Sequence, residues 1–380
     1  MKKMVCSILL LTFLFILTSC NASVEEKNPI DKEVFHKTSN DNDNPSVKDV
    51  KNVDVANTHG SIEGLERMQN FYHNLQNGIS SELRIVHYTI EGDPIVTDLN
   101  YKEDTVKVTY DSSRDNFGSG EITSVICSDL LEEVNPTNTS YIATGCSDDF
   151  FGMAEILTIE YNLGRQDLFG LELKFGEKLE NELNTKTKEA THINASKTRT
   201  TSDFKLSTPV KQEVFKKLIM ANYLGELDLK TTCQSEDSKE YYLKVYINGG
   251  DRDYHWSSCD QGSDALKFTE IAEYMILQSE MEQTESPETV IQGYILQVED
   301  DTLLIGVDLN ILDYELLKDE IQHIDLSAYV FDFISLEGVK TDEFKIGDKI
   351  ETIIKGSITG SNPGIAQVKD IMRLDISVTR

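Results

Sequence analysis

The residue with the clearest chemistry is Cys20, which closes Leu17-Thr18-Ser19-Cys20. A thiol there can take a lipid through a thioether, and slim residues before it let a peptidase reach the backbone between Ser19 and Cys20. Lys2 and Lys3 precede an almost wholly apolar run, Met4 to Leu17, interrupted by Ser7 and Thr12. A basic start and a short apolar core are the pattern of an export signal. The run is shorter than the ~20 residues that a membrane-spanning helix needs. The expectation from charge and core is a signal peptide over 1–19. Two or more acyl chains of the palmitate kind hold a protein to a bilayer stably, whereas one holds it marginally.

Export places the other cysteines in oxidising surroundings, where disulfides persist. Cys6 leaves with the signal, so Cys127, Cys146, Cys233 and Cys259 remain. Four cysteines allow three pairings. They fall as two sequence-local couples, and the expected bridges are Cys127–Cys146 and Cys233–Cys259. The second meets a geometric difficulty. In a simple meander Cys233 and Cys259 would flank a middle strand, ~9.5 Å apart, beyond the ~7 Å reach of a bridge. Cys233 must then leave the sheet, or the bridge is wrong. The absence of CxxC argues against a redox enzyme or a zinc ribbon.

Asp111, Arg114 and Asp115 crowd one loop after a strand. An Arg–carboxylate pair would hold its shape. The loop reads either as a recognition loop for a peptide or cation or as ordinary exposed ion pairing at a turn. Histidines have no ligand spacing. His87 shares a strand face with Leu83 and Ile85 and reads as a packed or edge histidine rather than a base, and Trp256 beside His255 reads as core rather than as part of a contact patch. HExxH, P-loop and GxSxG patterns are missing, with Gly118-Ser119-Gly120 the nearest approach. Asp41 to Asn44 begin like a calcium loop, but Pro45 stands where a ligand is needed and no Glu closes it. No catalytic residue, cofactor or metal ligand is therefore assigned. An enzyme whose carboxylates meet only in the fold, and a loose divalent-cation binder, stand as alternatives.

The formal charge is −30. A polyanion does not bind nucleic acid non-specifically, and it is repelled by anionic lipid and wall polymers. Residues 20–58 are polar and aperiodic. They read as a disordered tether whose ends lie ~35 Å apart. The rest is too long for one compact core. The expected fold class is α+β: two small helix-plus-antiparallel-sheet modules, 59–150 and 151–281, followed by a small OB-like β-barrel over 289–380.

In the first module a helix capped by Ser61 carries Leu65, Met68, Phe71, Tyr72 and Leu75, and Asn77-Gly78 stops it. Four strand runs follow: LRIVHYTI, IVTDLNY, TVKVTYD and EITSVIC. In the second, AEILTIEY and LFGLELKF read as a hairpin, 185–202 as a long surface loop, and Thr208-Pro209 as a helix start. YYLKVYINGGDRDYHW turns at Asn248-Gly249-Gly250, and a last helix carries Ala265, Phe268, Ile271, Ala272, Met275 and Ile276. In the third, five strands surround one helix, Leu312 to Ile321, and an excess of acidic residues disfavours an oligonucleotide face.

Leu17 to Cys20 resembles the lipobox of bacterial lipoproteins, which implies cleavage between Ser19 and Cys20 and acylation of Cys20. YTIEGDPIVTDLNY, YDSSRDNFGSGEI and INGGDRDYHWSSC resemble an uncharacterised family of Gram-positive lipoproteins. GYILQVEDDTLLIGV, FKIGDKIETIIKGSI and SNPGIAQVKDI resemble the YobA-like exported family. The resemblance implies an envelope lipoprotein and no activity. The expectation is a non-catalytic binding or regulatory module, lipid-anchored at the outer face of the cell membrane, with an envelope protein as its partner.

Overall fold

The computed structural model describes residues 50–147, 152–194, 197–232, 238–281, 289–319, 329 and 331–375. Ser19, Cys20 and Cys233 lie outside them, as do the signal and most of the expected tether. Among the described residues the protein is sheet-rich α+β, with four α-helices.

The first sheet holds β1 (Val55–Thr58), β2 (Ser61–Glu63), β3 (Ser81–Tyr88), β4 (Pro94–Lys102), β5 (Thr105–Asp111) and β6 (Ile122–Cys127). Its order is β2-β1-β3-β4-β5-β6. β1 runs parallel to β3 and the other pairs are antiparallel. The tether was expected to reach residue 58, yet Val55 is fully buried and Val50 packs with Ala56, Val86 and Val96. Pairing with β3 satisfies the β1 backbone, and the valines supply apolar surface that repays its ordering.

Helix α1 (Leu65–Gln76) lays Met68, Phe71 and Leu75 on this sheet. Ser61 does not cap it, because Ser61 belongs to β2. Gly64 takes the N-cap with φ 73°. A Cβ there would stand 2.0 Å from the Asp54 carbonyl oxygen, so only glycine fits.

A second sheet comprises β7 (Asp129–Val134), β8 (Asn138–Thr144) and β9 (Met153–Glu160). The disulfide Cys127–Cys146 joins the end of β6 to the chain after β8. The expected hairpin of AEILTIEY with LFGLELKF does not form. β9 pairs with β8 instead, and a 3-10 turn at Leu163–Arg165 leads away. Alternation marks a half-buried strand but does not choose its neighbour.

The third sheet takes β10 (Phe169–Gly176), β11 (Asn181–Asn184), β12 (Glu189–Asn194), β13 (Lys197–Ser202), β14 (Glu240–Ile247) and β15 (Gly250–Ser257), in the order β13-β12-β11-β10-β14-β15. The stretch expected as a loop, 185–202, instead holds the paired strands β12 and β13. Its threonines are β-branched and its Lys and Arg suit a sheet edge. Asn248 and Gly249, with φ 47° and 86°, make the two-residue turn between β14 and β15. Helices α2 (Thr208–Met220) and α3 (Ser263–Met281) cover one face. Trp256 is fully buried, and its indole N–H donates to Thr269 Oγ1 at 2.9 Å.

The last segment contains β16 (Thr289–Val298), β17 (Thr302–Val307), α4 (Ile311–Leu317), β18 (Phe333–Glu337), β19 (Lys349–Lys355) and β20 (Gly364–Arg373). Its strands pair in a closed ring, β16-β17-β18-β20-β19, with β18 and β20 parallel. Ile295, Leu303, Ile305, Leu336 and Ile350 fill the interior.

The ring meets the second sheet through a buried polar junction. Lys349 Nζ donates to Glu133 Oε1, and both side chains are 3% exposed. Tyr294 OH donates to the same oxygen at 2.9 Å, and the Ile311 N–H donates to Glu133 Oε2 at 2.7 Å. Burial pushes the Lys349 ammonium below its ordinary pKa, against the pull of Glu133 and Asp308. Nearby, Thr137 Oγ1 donates to Asp308 Oδ2 at 2.7 Å, and the Asn138 amide donates to the Asp308 carbonyl at 2.9 Å. Burial, with the charges of Asp332 and Glu160, raises the Asp308 pKa to about 6 despite Thr137 and Lys349.

Removing one partner of a buried ion pair strands the other charge. Lys349→Met is expected to cost about 3–5 kcal/mol in urea unfolding. Asp308 behaves oppositely. A carboxyl whose pKa is higher folded than unfolded binds more protons when folded. Its contribution is therefore most favourable below ~4 and is lost as pH rises to about 6. Asp308→Asn is expected to stabilise the protein by about 1–2 kcal/mol at pH 8, with the gain vanishing near pH 4. Thermal melts of both proteins across that range check this.

Candidate recognition surface

Strands β3 to β6 alternate in direction, so the 89–93 turn and the 112–121 loop emerge at the same end of the first sheet. Thr89 and Asp93 close the turn, with the Thr89 N–H 2.9 Å from the Asp93 carbonyl and the Asp93 N–H 3.2 Å from Thr89 Oγ1. The longer loop is closed at its base by buried Ser112. Its N–H donates to the Glu121 carbonyl at 3.0 Å, and its hydroxyl accepts from the Glu121 N–H at 3.1 Å.

The predicted loop residues do come together in part. Arg114 Nη1 donates to Asp111 Oδ2 at 2.8 Å, and Ser113 donates its N–H at 2.9 Å and its hydroxyl at 2.5 Å to Asp111 Oδ1. Burial pushes the Asp111 carboxyl up, but the Ser113 and Arg114 donors outweigh it and hold the pKa below the usual carboxylate range. Asp115 does not join Arg114. Its Oδ1 accepts the Phe117 N–H at 2.9 Å and shapes the loop tip. All three residues thus act first on the loop's own conformation.

Two residues that sequence reasoning missed tie the loops together. The Asn116 N–H and its side-chain amide both donate to Asp93 Oδ2 at 2.9 Å. This brings the tip of the long loop against the 89–93 turn. At that end Phe117 is 78% exposed, Ile90 89% and Ile122 64%. A single exposed apolar residue means little; here three stand at one end of the sheet, where the Asp93–Asn116 tie joins the two loops. Phe117 amid Asp, Ser, Asn and Gly was a legible signal. The Asp93–Asn116 tie, 23 residues apart, was not.

His87 is half-buried in β3, and desolvation lowers its pKa. Cys259 lies in the turn after β15, while the partner expected for it, Cys233, is outside the described residues. Among the described residues two clefts stand out. One, of about 270 Å³, lies among α1, α2 and α3, where Lys217 pairs with Glu270 at 2.6 Å. The other, of about 450 Å³, is a shallow hollow beside β15 and Leu227. Glu133, Asp308 and Asp313, the carboxylates packed deepest at the junction, line neither cleft. Among the described residues no three acidic, His or Cys side chains stand where they could hold a metal ion.

Residues 52–142 match a family described as a domain of unknown function, DUF4362, and residues 292–374 match one described as a protein of unknown function, DUF3221. The first contains the surface just described, and the second contains most of the ring. A crystal structure of a YobA protein from Bacillus subtilis is similar to part of the chain. It is 20% identical, over 24% of this chain and 98% of that one, with a TM-score of 0.19. No curated protein matches.

Asp93→Ala removes the acceptor of both Asn116 donors. Amide exchange across 113–119 is expected to quicken about tenfold, while global stability falls by less than about 1 kcal/mol, because the tie is exposed. Hydrogen-exchange mass spectrometry with urea unfolding measures both.

Proposed function

We propose that the protein is a lipid-anchored, non-catalytic binding module of the cell envelope, and that the end of the first sheet carrying Ile90 and Phe117 is where it meets a partner protein. One observation carries the second half of this reading. Two large apolar side chains are held in water by loops whose polar groups are spent on fixing their shape. Pre-ordered apolar tips lose little conformational entropy on binding. A polar loop with only a structural task has no use for them.

The first half rests on the order of charge, apolar run and Leu17-Thr18-Ser19-Cys20 at the N-terminus. The Cys127–Cys146 disulfide supports an oxidising compartment. Among the described residues no helix is long and apolar enough to cross a membrane, and an acyl anchor would not need one. The closing ring fits an OB-like barrel in its strand order and in the parallel pairing of its third and fifth strands, β18 and β20. Its acidity favours a protein over a polyanionic ligand.

Two measurements test the reading. Cys20→Ser is expected to abolish palmitate labelling and to move the protein from the membrane fraction to the medium; unchanged fractionation would remove the anchor. A photocrosslinking amino acid at position 117, in intact cells, is expected to give one dominant adduct that Asp93→Ala weakens several-fold. Diffuse labelling, no stronger than from a position on the exposed face of α3, would remove the contact surface.

A further inference from the structure

We infer that the outer edge of β6 is a docking edge for an extended, basic and apolar segment of the partner protein, which adds to the first sheet as an extra antiparallel or parallel strand. The inference rests on the contact-surface reading above and specifies how that surface is used. β6 ends the sheet and begins at Ile122, directly after the loop that carries Phe117.

The pairing with β5 decides which groups are free. The Ser112 N–H meets the Glu121 carbonyl, and the register continues as Tyr110 with Thr123, Val108 with Val125 and Val106 with Cys127. In an antiparallel ladder alternate residues turn their backbone groups inward. Ile122, Ser124 and Ile126 therefore turn theirs outward. Among the described residues, the one backbone bond made on this edge runs from the Ser147 N–H to the Ile126 carbonyl at 2.9 Å. The N–H and C=O of Ile122 and Ser124 face away from the sheet.

Open edges are normally blunted by charge, proline, bulges or shortness. The other sheet edges here follow that rule. β13 carries Lys197 and Arg199, β15 carries Asp251, Arg252 and Asp253, β7 carries Glu132 and Glu133, β9 carries Glu155 and Glu160, and β2 has three residues. β6 reads Ile-Thr-Ser-Val-Ile-Cys, with no charge, proline, glycine or bulge. Ile122 and Ile126, 64% and 54% exposed, lie on one face of it with Ser124 between them. The sequence pattern is that of a strand meant to be paired on both sides.

Charge selects the occupant. Glu121 precedes the strand and Asp129 follows it, while Asp111, opposite Ile122, and Arg114 satisfy each other and Lys107 stands opposite Ile126. A second copy would bring the same carboxylates edge to edge within a chain of charge −30. A strand alternating lysine with valine covers Ile122 and Ile126 with its valines and, by the same alternation, puts its lysines on the other face, where Glu121 lies.

The test uses the full mature chain with the acetylated, amidated peptide Lys-Val-Lys-Val-Lys-Val-Lys. Saturating peptide is expected to slow exchange of the Ile122 and Ser124 amides about tenfold or more. The same peptide with alternate backbone nitrogens methylated, and its Glu-for-Lys counterpart, are expected to leave exchange unchanged. Ser124→Pro deletes one outward N–H, and the I122K/I126K double variant keeps every backbone bond but charges the edge. Each is expected to weaken the peptide at least about tenfold. The double variant decides the matter if the proline variant does not fold. Equal protection by the methylated or acidic peptide, or unaltered binding to the folded variant, would overturn the inference. So would self-association through β6, seen as concentration-dependent protection without peptide. A dominant crosslink from position 117 that persists in I122K/I126K would overturn strand addition while leaving the contact surface standing.

Discussion

The meeting of Glu133 and Lys349 sets the terms for the C-terminal half of the protein. Both charges are out of water, and the loss of hydration on each is worth several kcal/mol. Their attraction offsets this only because each oxygen of Glu133 has further donors, Tyr294 OH on one and the Ile311 N–H on the other. That requirement reaches outward. Tyr294 is placed by β16 and stacks on Tyr314 of α4, with ring centroids 5.0 Å apart. Ile311 is placed by the start of α4, where the side chains of Asn310 and Asp313 cap each other's backbone. Asn310 also donates to Ser140 Oγ at 3.2 Å across the junction. One ion pair thus demands that β7, β16, β19 and α4 be in register with each other. Apolar contact alone would tolerate sliding; a charge-centred junction does not.

A second join is apolar. Helix α2 turns Val210, Val214 and Leu218 toward the core beneath the third sheet, while Phe215 enters the core shared by the first and second sheets. Phe215 meets Phe169 edge to face at 5.4 Å between centroids. The Gln212 amide reaches the Tyr161 carbonyl at 2.7 Å and the Pro136 carbonyl at 3.1 Å, and its oxygen accepts the Leu163 N–H at 3.0 Å. One helix therefore serves two cores. The polar Gln between Lys211 and Glu213 satisfies backbone groups that the chain leaves open where it passes from β9 to β10.

These joins leave the opposite end of the first sheet free to be a surface. Its loops are ordered by their own carboxylates, hydroxyls and amides, so the apolar tips need no support from a partner. The same economy explains why Asp111, Arg114 and Asp115 are structural before they are anything else. Exposed ion pairs contribute little to stability, but they restrict a loop to one shape, and shape is what a contact surface requires.

The chain itself determined the local matters: the α2 start at Thr208-Pro209, the Asn248-Gly249 turn, the burial of Trp256 and the pairing of the near cysteines 127 and 146. The helix start, the turn and the burial depend on residues within a few positions of each other, where backbone preference and hydrophobic period act directly; the two cysteines, 19 positions apart, were the nearest couple the chain offered. Neighbour choice was beyond it. β9 looked like the start of a hairpin with β10, and its partner β8 was decided by which sheet could bury Ile156, Leu157 and Ile159. The threonines of 185–202 looked like a loop until β11 offered β12 a ladder. Glu133 inside Leu-Leu-Glu-Glu-Val gave no sign that it, and not Glu132, would meet a lysine 216 positions away. Such pairings depend on differences in burial and desolvation between whole arrangements of the chain, and these come into being only when distant segments pack.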